Sequence, residues 1–458
     1  MLWPSERIVG LCHTGVTGES GSYYGNVPFD CDVIVAGGGP AGSTAAAWLA
    51  RAGHRVILFE RDQFPRFHIG ESLLASVNDV LSAIGADNLV RQAGFPQKWG
   101  ATFMTGDGGI ERHADFSVAP GVRAPQTWQV TRATFDHLLL RHAAASGAEV
   151  REQHRVLDVT FDADGVAATV QRLDVGEGPR CIRAQAIVDA SGRGALLSRK
   201  FNLRIDEPRL ANLAVFSHYA GVPRPDGRRA GDIRIVSRAD LGWFWLIPIS
   251  DALMSVGVVL PRAAARALQG MEPGALLDRS IAETPAVAHL LMSARREWPV
   301  RVERDFSFGS RAYAGDRWVL AGDAGSFLDP VFSTGVAIAL ESGLEAAQTV
   351  ANGLAAGDLS ARRFDRFSRR QRRRYRSFRR FVLGFYTEEF RDLFFADEPP
   401  RRMFRSLVTV FAGYWRPPPI TRMWVWLFFL LVRLQRWVRF SPPLASRADI
   451  HESTTAAR

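Results

Sequence analysis

CDVIVAGGGPAGSTAAAWLARAGHRVILFE, residues Cys31 to Glu60, decides the fold of this chain. Val33 to Ala36 is an apolar run with the length of a short buried strand, and the Ala/Leu-rich sequence continuing to Ala52 repeats at helical period. Gly53 stops that helix, and Val56 to Phe59 supply the next buried strand. Gly37-Gly38-Gly39-Pro40-Ala41-Gly42 joins the first strand to the helix. Gly37 permits a tight turn, Gly39 lets backbone amides approach a pyrophosphate, and Gly42 lets helix and strand pack closely. The helix N-terminus adds partial positive charge for the anion. Glu60, 18 residues past Gly42, is placed to accept a ribose hydroxyl. A G-x-G-x-x-G by itself also suits an ordinary glycine-rich turn. Here strand, loop, helix, strand and acid occur in register, which argues for dinucleotide binding.

Composition sets the outer limits. The 458 residues leave room for roughly two or three structural units. At 47% apolar and 23% charged, the chain can bury a large core. Its net charge of +10 is almost all arginine, since Lys98 and Lys200 are the only lysines. Cys12, Cys31 and Cys181 stand far apart without C-x-x-C spacing, which argues for a reducing compartment and against a disulfide framework or zinc site. Residues 1–29 lack the basic-then-apolar order of a signal peptide and read as a flexible leader, so the expected location is the cytoplasm. No apolar run reaches about 18 residues, and no membrane-spanning helix is expected.

Past Glu60, Arg61-Asp62-Gln63-Phe64-Pro65-Arg66-Phe67-His68-Ile69-Gly70-Glu71-Ser72 reads as a strap crossing the cofactor, with a helix following from about Leu73 to Ile84. Residues 95–104 read as a turn followed by a strand with Lys98 at its mouth, and a helix is expected from about Arg132 to Ala145. The strand pair near 156–172 and the segment from Ala186 to Gly192 return to the nucleotide-binding sheet. Residues 210–260 contain β-rich runs that suggest an antiparallel sheet in a separate layer. A helical stretch follows to about 297, then a strand and turn at 318–324, then a long helix from about Thr334 to Asn352. The remainder is helical and Arg-rich.

Several of these segments resemble the flavin-dependent halogenases, within the flavoprotein monooxygenases of para-hydroxybenzoate-hydroxylase-like fold. They are GGGPAG, FPRFHIGESL, Val130-Thr131-Arg132 with Phe135-Asp136, VDASGR, Trp243-Phe244-Trp245-Leu246-Ile247-Pro248, Gly322-Asp323-Ala324 and FLDPVFSTGVAIAL from Phe327 to Leu340. The implied fold is α/β. A Rossmann-like FAD-binding domain (30–205 and 306–355) would carry an antiparallel β-sheet substrate layer with a helical insert (206–305) and a helical C-terminal region (356–458).

The resemblance also implies roles. Gly37, Gly39, Ala41, Gly42, Glu60, Arg61, Glu71, Arg132, Asp323 and Val336 would bind FAD, used as FADH2 with O2 and chloride or bromide. Thr334 and Gly335 would seat the halide at a helix N-terminus, where anions are favoured on physical grounds too. Trp243 and Trp245 would keep substrate away from the flavin; a plain aromatic core strand is the bland alternative. Lys98 would be the halogenating residue. The family's route runs through a flavin hydroperoxide and hypohalous acid, which a primary amine can capture or direct. Guanidinium is a poor substitute, being always charged, whereas a desolvated lysine becomes a nucleophilic amine. A surface lysine after a turn is the alternative for Lys98.

The chain departs from the tryptophan-acting branch in one place. That branch carries a glutamate two residues before the threonine, and here the position is Phe332. The expected substrate is therefore an electron-rich phenol or pyrrole, free or tethered to a carrier protein, with a separate flavin reductase as partner. Residues 362–381 form a basic helix with arginines on all sides, read as a solvated face or as a dock for an acidic carrier. No nucleic-acid-binding fold accompanies the charge. Met423 to Val432 is too short to span a bilayer and is expected to pack on the body rather than to touch a membrane surface. Three competitors remain: a non-halogenating monooxygenase of the same fold, a geranylgeranyl-reductase-like flavoprotein, and a non-catalytic flavin-binding protein.

Overall fold

The computed structural model describes residues 28–304, 307–397 and 399–444, so most of the expected leader lies outside the described residues. Cys31–Ala36 is the centre of the first sheet, paired in parallel with Val56–Phe59 on one side and Arg180–Asp189 on the other. Glu149–Arg151 and Trp318–Leu320 extend it outward, also in parallel. Strands buried on both faces read as unbroken apolar runs, as VIVA and VILF do. His154–Phe161 and Val166–Arg172 attach as an antiparallel flap.

Pro40–Arg51 and the long helix Thr334–Ala355 cover one face. They touch backbone to backbone: a Cβ on Gly343 would lie 2.3 Å from the Ala41 carbonyl oxygen. The helix expected from Leu73 starts instead at Val77. Leu73 N–H donates to the Trp128 carbonyl, so that backbone is committed to a neighbouring segment and cannot begin a helix.

The second sheet is antiparallel through Leu213–Ala220, Leu253–Leu260, Trp243–Pro248 and Ile233–Ser237. Gly100–Met104 joins it in parallel beside Ile233–Ser237, with Glu111–Asp115 at the edge. These two strands fall within 30–205 in sequence yet belong to the second layer, because their apolar residues Ala101, Phe103 and Ala114 pack into its core. Three short helices between Arg262 and Leu291 lie against the same layer through Leu276, Leu277, Val287 and Leu291.

The C-terminal helices close the molecule. Ala361–Phe385 does not carry its arginines on all sides: Phe364, Phe367, Gln371, Arg374, Phe378, Phe381, Val382 and Phe385 form one buried face at helical spacing. Arg374 itself is buried and pairs with Glu341 at 3.0 Å and Glu345 at 2.6 Å. Arg362, Arg363, Arg366, Arg369, Arg373 and Arg376 remain exposed. Glu388–Phe394, Arg401–Phe411 and Pro419–Leu434 then wrap an aromatic cluster that joins them to the second sheet. Phe103, Phe332 and Phe411 meet inside it, the last two stacked at 4.9 Å and 6°. Among the described residues no helix is long and apolar enough to cross a membrane, and no cluster could hold a metal ion.

Candidate active site

A single cavity of about 480 Å³ runs between the two sheets. Its floor is the glycine loop. Gly37 has φ +108°, and a Cβ there would lie 2.3 Å from the Ala190 carbonyl oxygen, so only glycine makes this turn. The N-cap Gly39 makes no side-chain cap, and the first turn of its helix holds no acid. Its free amides face the cavity, and a Cβ on Gly39 would meet only Arg66 Nη2 at 3.6 Å. This is a seat for a pyrophosphate. Glu60 is buried, and its Oε2 accepts the Gly38 N–H at 2.6 Å. It therefore braces the loop while lining the cavity where a ribose would lie. Arg61 also lines the cavity, from an exposed position beside Asp62.

The strap forms a second wall. Arg132 is buried, held by Asp136 at 2.7 Å, and donates to the Ile69 carbonyl of the strap at 2.6 Å. Asp323 shares the cavity with Arg132. Burial raises its carboxyl to about 6, and the Arg132 guanidinium opposes that rise. Glu71 is buried with Oε2 unpartnered, and its Oε1 lies 3.3 Å from His218 Nε2. His68, to which the sequence reading gave no role, also lines the cavity. Burial drives its ring down to about 3, so it is neutral, with Nδ1 2.7 Å from the Ile69 carbonyl. Unpartnered buried polar atoms, an uncapped helix start and an acid–guanidinium pair together fit FAD along this wall.

Opposite lies the turn Asp329-Pro330-Val331-Phe332-Ser333-Thr334-Gly335. Ser333 is left-handed at φ +55°, a conformation costly for a non-glycine residue, and caps nothing with its side chain. It aims the start of the 22-residue helix Thr334–Ala355 toward the cavity, which Ser333, Gly335 and Val336 line. The first turn has no acid, and the buried Thr334 Oγ1 lacks a partner. Uncapped amides and a spare hydroxyl make an anion seat.

Trp243 and Trp245 line the cavity with ring centroids 5.9 Å apart. Trp245 lies flat on the sheet because Gly257 stands across from it; a Cβ there would come within 2.3 Å of the indole. Trp243 Nε1 donates to the Tyr386 hydroxyl at 2.7 Å, and that hydroxyl donates to Asp329 Oδ2 at 2.7 Å. Asn212 donates to the same oxygen at 2.8 Å, and Asp329 Oδ1 caps the turn through Val331 N–H at 3.1 Å. Burial lifts the Asp329 carboxyl to about 6. The sequence reading missed Tyr386 and Asp329. Tyr386 lies in the Arg-rich tail, 143 residues from its tryptophan.

Lys98 is 1% exposed. Its short strand pairs with Thr127–Trp128, and Asp232 Oδ1 fixes the following backbone by accepting from Trp99 and Gly100 N–H at 2.9 and 2.7 Å. The amine donates to Ser72 Oγ and to the Leu73 carbonyl, each at 2.8 Å. Burial lowers it to about 7, and the Asp232 charge only partly opposes this. Two acceptors match the two hydrogens of a neutral amine and leave its lone pair free. Lys98 is not itself a wall of the cavity, but its partner Ser72 is.

Known proteins resemble this chain in sequence and fold. Residues 32–120 and 110–397 match the family model described as tryptophan halogenase. The chain is 36% identical over 344 residues to the flavin-dependent halogenase armH3 of Armillaria mellea, covering 71% of this chain and 68% of that protein. It is 31% identical over 396 residues to the 1H-pyrrole-2-carbonyl-[peptidyl-carrier protein] chlorinase of Pseudomonas fluorescens, covering 82% and 87%. The myxobacterial chondrochloren halogenase CndH superposes with a TM-score of 0.70 at 32% identity, over 89% of this chain and 97% of that one. With the glycine loop, the strap and the turn before the long helix lining one cavity, and the match running almost the length of the chain, this protein belongs to the flavin-dependent halogenases and is an enzyme whose cofactor is FAD.

Proposed function

We propose that this enzyme chlorinates or brominates an electron-rich phenol or pyrrole, and that Lys98 delivers the halogen. The observation that carries the reading is the sealed amine beside Ser72, driven toward neutrality by burial. Bound as FADH2 and supplied by a separate flavin reductase, the cofactor would furnish, with O2 and halide, an electrophilic halogen as hypohalous acid. Thr334 and Gly335 would hold the halide, and Trp243 and Trp245 would keep the aromatic substrate from the cofactor. The neutral Lys98 amine attacks the halogen: an N–X bond forms, the O–X bond breaks, and water leaves with the amine proton. The ring then takes the halogen from nitrogen and returns a proton.

The absence of a carboxylate at Phe332 supports an activated ring over tryptophan, because Phe332 is stacked in the aromatic cluster. The pyrrole-carrier relative and the exposed arginines of Ala361–Phe385 support a carrier-tethered substrate. The test is turnover with a flavin reductase, FAD and bromide on a simple phenol, a carrier-bound pyrrole thioester and free tryptophan, read by mass spectrometry. A product heavier by one bromine from the phenol or pyrrole is expected. Bromination of tryptophan alone, or a hydroxylated product formed without halide, would overturn the assignment.

A further inference from the structure

The last described helix, Pro419–Leu434, breaks the usual rule for a surface helix. Its inner face, with Phe428 and Phe429, packs on the aromatic cluster as expected. Its outer face should then be polar. Instead Ile420 and Met423 are exposed on the side away from Phe428 and Phe429, and the half-buried Leu430 and Leu434 continue that side, while Leu427 between them packs on the cluster. Trp426 is 57% exposed beside this stripe, and Trp437, in the turn that continues it, is 70% exposed. Val438 and Phe440 are exposed as well. From Ile420 to Leu434 the helix runs about 21 Å at 1.5 Å per residue, and the exposed Trp437 and Val438 lie just past its end. Single exposed apolar residues need no explanation, but six large ones within 21 residues, two of them tryptophans, do.

The charges the segment itself carries are of one sign, although Arg436 is paired with Glu389 of the neighbouring helix at 2.9 Å. Arg416, Arg422, Arg433, Arg436 and Arg439 punctuate the segment, and no aspartate or glutamate occurs between 415 and 444. Arg422 and Arg433 stand 11 residues apart, three helical turns, and so share one edge of the stripe. A second copy docked here would set arginine against arginine. A surface both negative and apolar satisfies both features. Tryptophan at the headgroup level, aliphatic side chains just below it and arginines reaching for phosphates make an interfacial helix.

We propose that Pro419–Leu434 and the turn to Phe440 seat the enzyme on an anionic lipid surface, the helix lying in its plane. The catalytic cavity is built from other elements, so the proposal stands apart from the assignment of substrate.

Co-sedimentation with phosphatidylglycerol-containing and pure phosphatidylcholine vesicles tests it, using the full chain loaded with FAD. The wild type should pellet with the anionic vesicles, and high salt should weaken the binding. The double variant Trp426→Glu/Trp437→Glu should bind at least about tenfold more weakly, with retained FAD absorbance confirming its fold. Arg422→Gln/Arg433→Gln, which leaves the apolar stripe intact, should also weaken binding to anionic vesicles. The idea is overturned if the wild type stays in the supernatant with anionic vesicles at low salt, or if both variants pellet like the wild type. It is equally overturned if sedimentation without lipid shows a dimer that the tryptophan substitutions dissolve, because the stripe would then be an interface between copies.

Discussion

An amine as enclosed as Lys98 loses most of the hydration that favours its charge, and neither Ser72 nor the Leu73 carbonyl replaces it with a counter-charge. Its ordinary value of 10.5 falls to about 7. Between those two values the unfolded chain binds the extra proton and the folded chain does not, so stability rises with pH across the window. Below pH 7 both states are protonated and the cost of burying the charge is complete. Relative to Lys98→Met, the wild type should therefore gain about 2–3 kcal/mol between pH 6.5 and 9, measured by denaturant unfolding. Activity should follow the same proton. The neutral fraction rises from about a tenth at pH 6 to about nine tenths at pH 8, so kcat/KM for halogenation should climb roughly tenfold. A profile flat through pH 7 would remove the free amine from the reaction. Lys98 was legible in the sequence because arginine fills nearly every other cationic position, but its sealing by Ser72 comes from a strap that sequence alone does not bring near it.

At the scale of elements, the Trp243–Pro248 strand is anchored from two directions. Gly257 makes the slot for Trp245, and Tyr386 ties Trp243 to the turn before Thr334 through Asp329. Tyr386→Phe leaves the buried indole N–H without its acceptor and Asp329 with one donor fewer, which should cost about 1–3 kcal/mol in chemical unfolding. FAD affinity should be unchanged, because the glycine loop and strap do not depend on Tyr386. Gly257→Ala should cost at least as much, since its Cβ would overlap the Trp245 ring at 2.3 Å and the Phe216 Cβ at 2.5 Å. The hexamer itself could be read from local sequence, as could the glycine loop and the long helix after the turn. What ties them together could not. Asp329 and Tyr386 are 57 residues apart, and nothing in the motif around Asp329 points to the tyrosine; the strands at 100–104 and 111–115 join a sheet whose other members begin a hundred residues later. Long-range pairing of that kind depends on tertiary packing, which residue order shows only indirectly.

For the whole molecule, the C-terminal helices supply much of the aromatic core rather than an appendage. Phe381, Phe385, Phe394 and Phe411 all pack with Phe332 or Phe103 on the body. Ending the chain after Ala355 should therefore expose that cluster and give insoluble protein, even though every residue of the glycine loop and halide turn is retained. The exposed arginines along Ala361–Phe385 act at longer range. With a carrier-bound substrate, kcat/KM should fall as salt rises from about 0.05 to 0.5 M, because screening shortens the reach of these charges, while a free phenol should show little change. Equal salt dependence for the two substrates would argue against electrostatic docking of a carrier. The basic balance of the chain was plain from composition. Which arginines are spent on internal pairs, as Arg374 is on Glu341 and Glu345, was visible only in the folded structure.

The most direct measurement compares bromide incorporation by the wild type, Lys98→Ala and Lys98→Arg under identical flavin supply, with FAD binding followed in parallel. Both variants should bind FAD like the wild type and lose at least about a hundredfold of halogenated product, arginine rescuing nothing because it offers no free lone pair. Bromination by Lys98→Ala at the wild-type rate would contradict this.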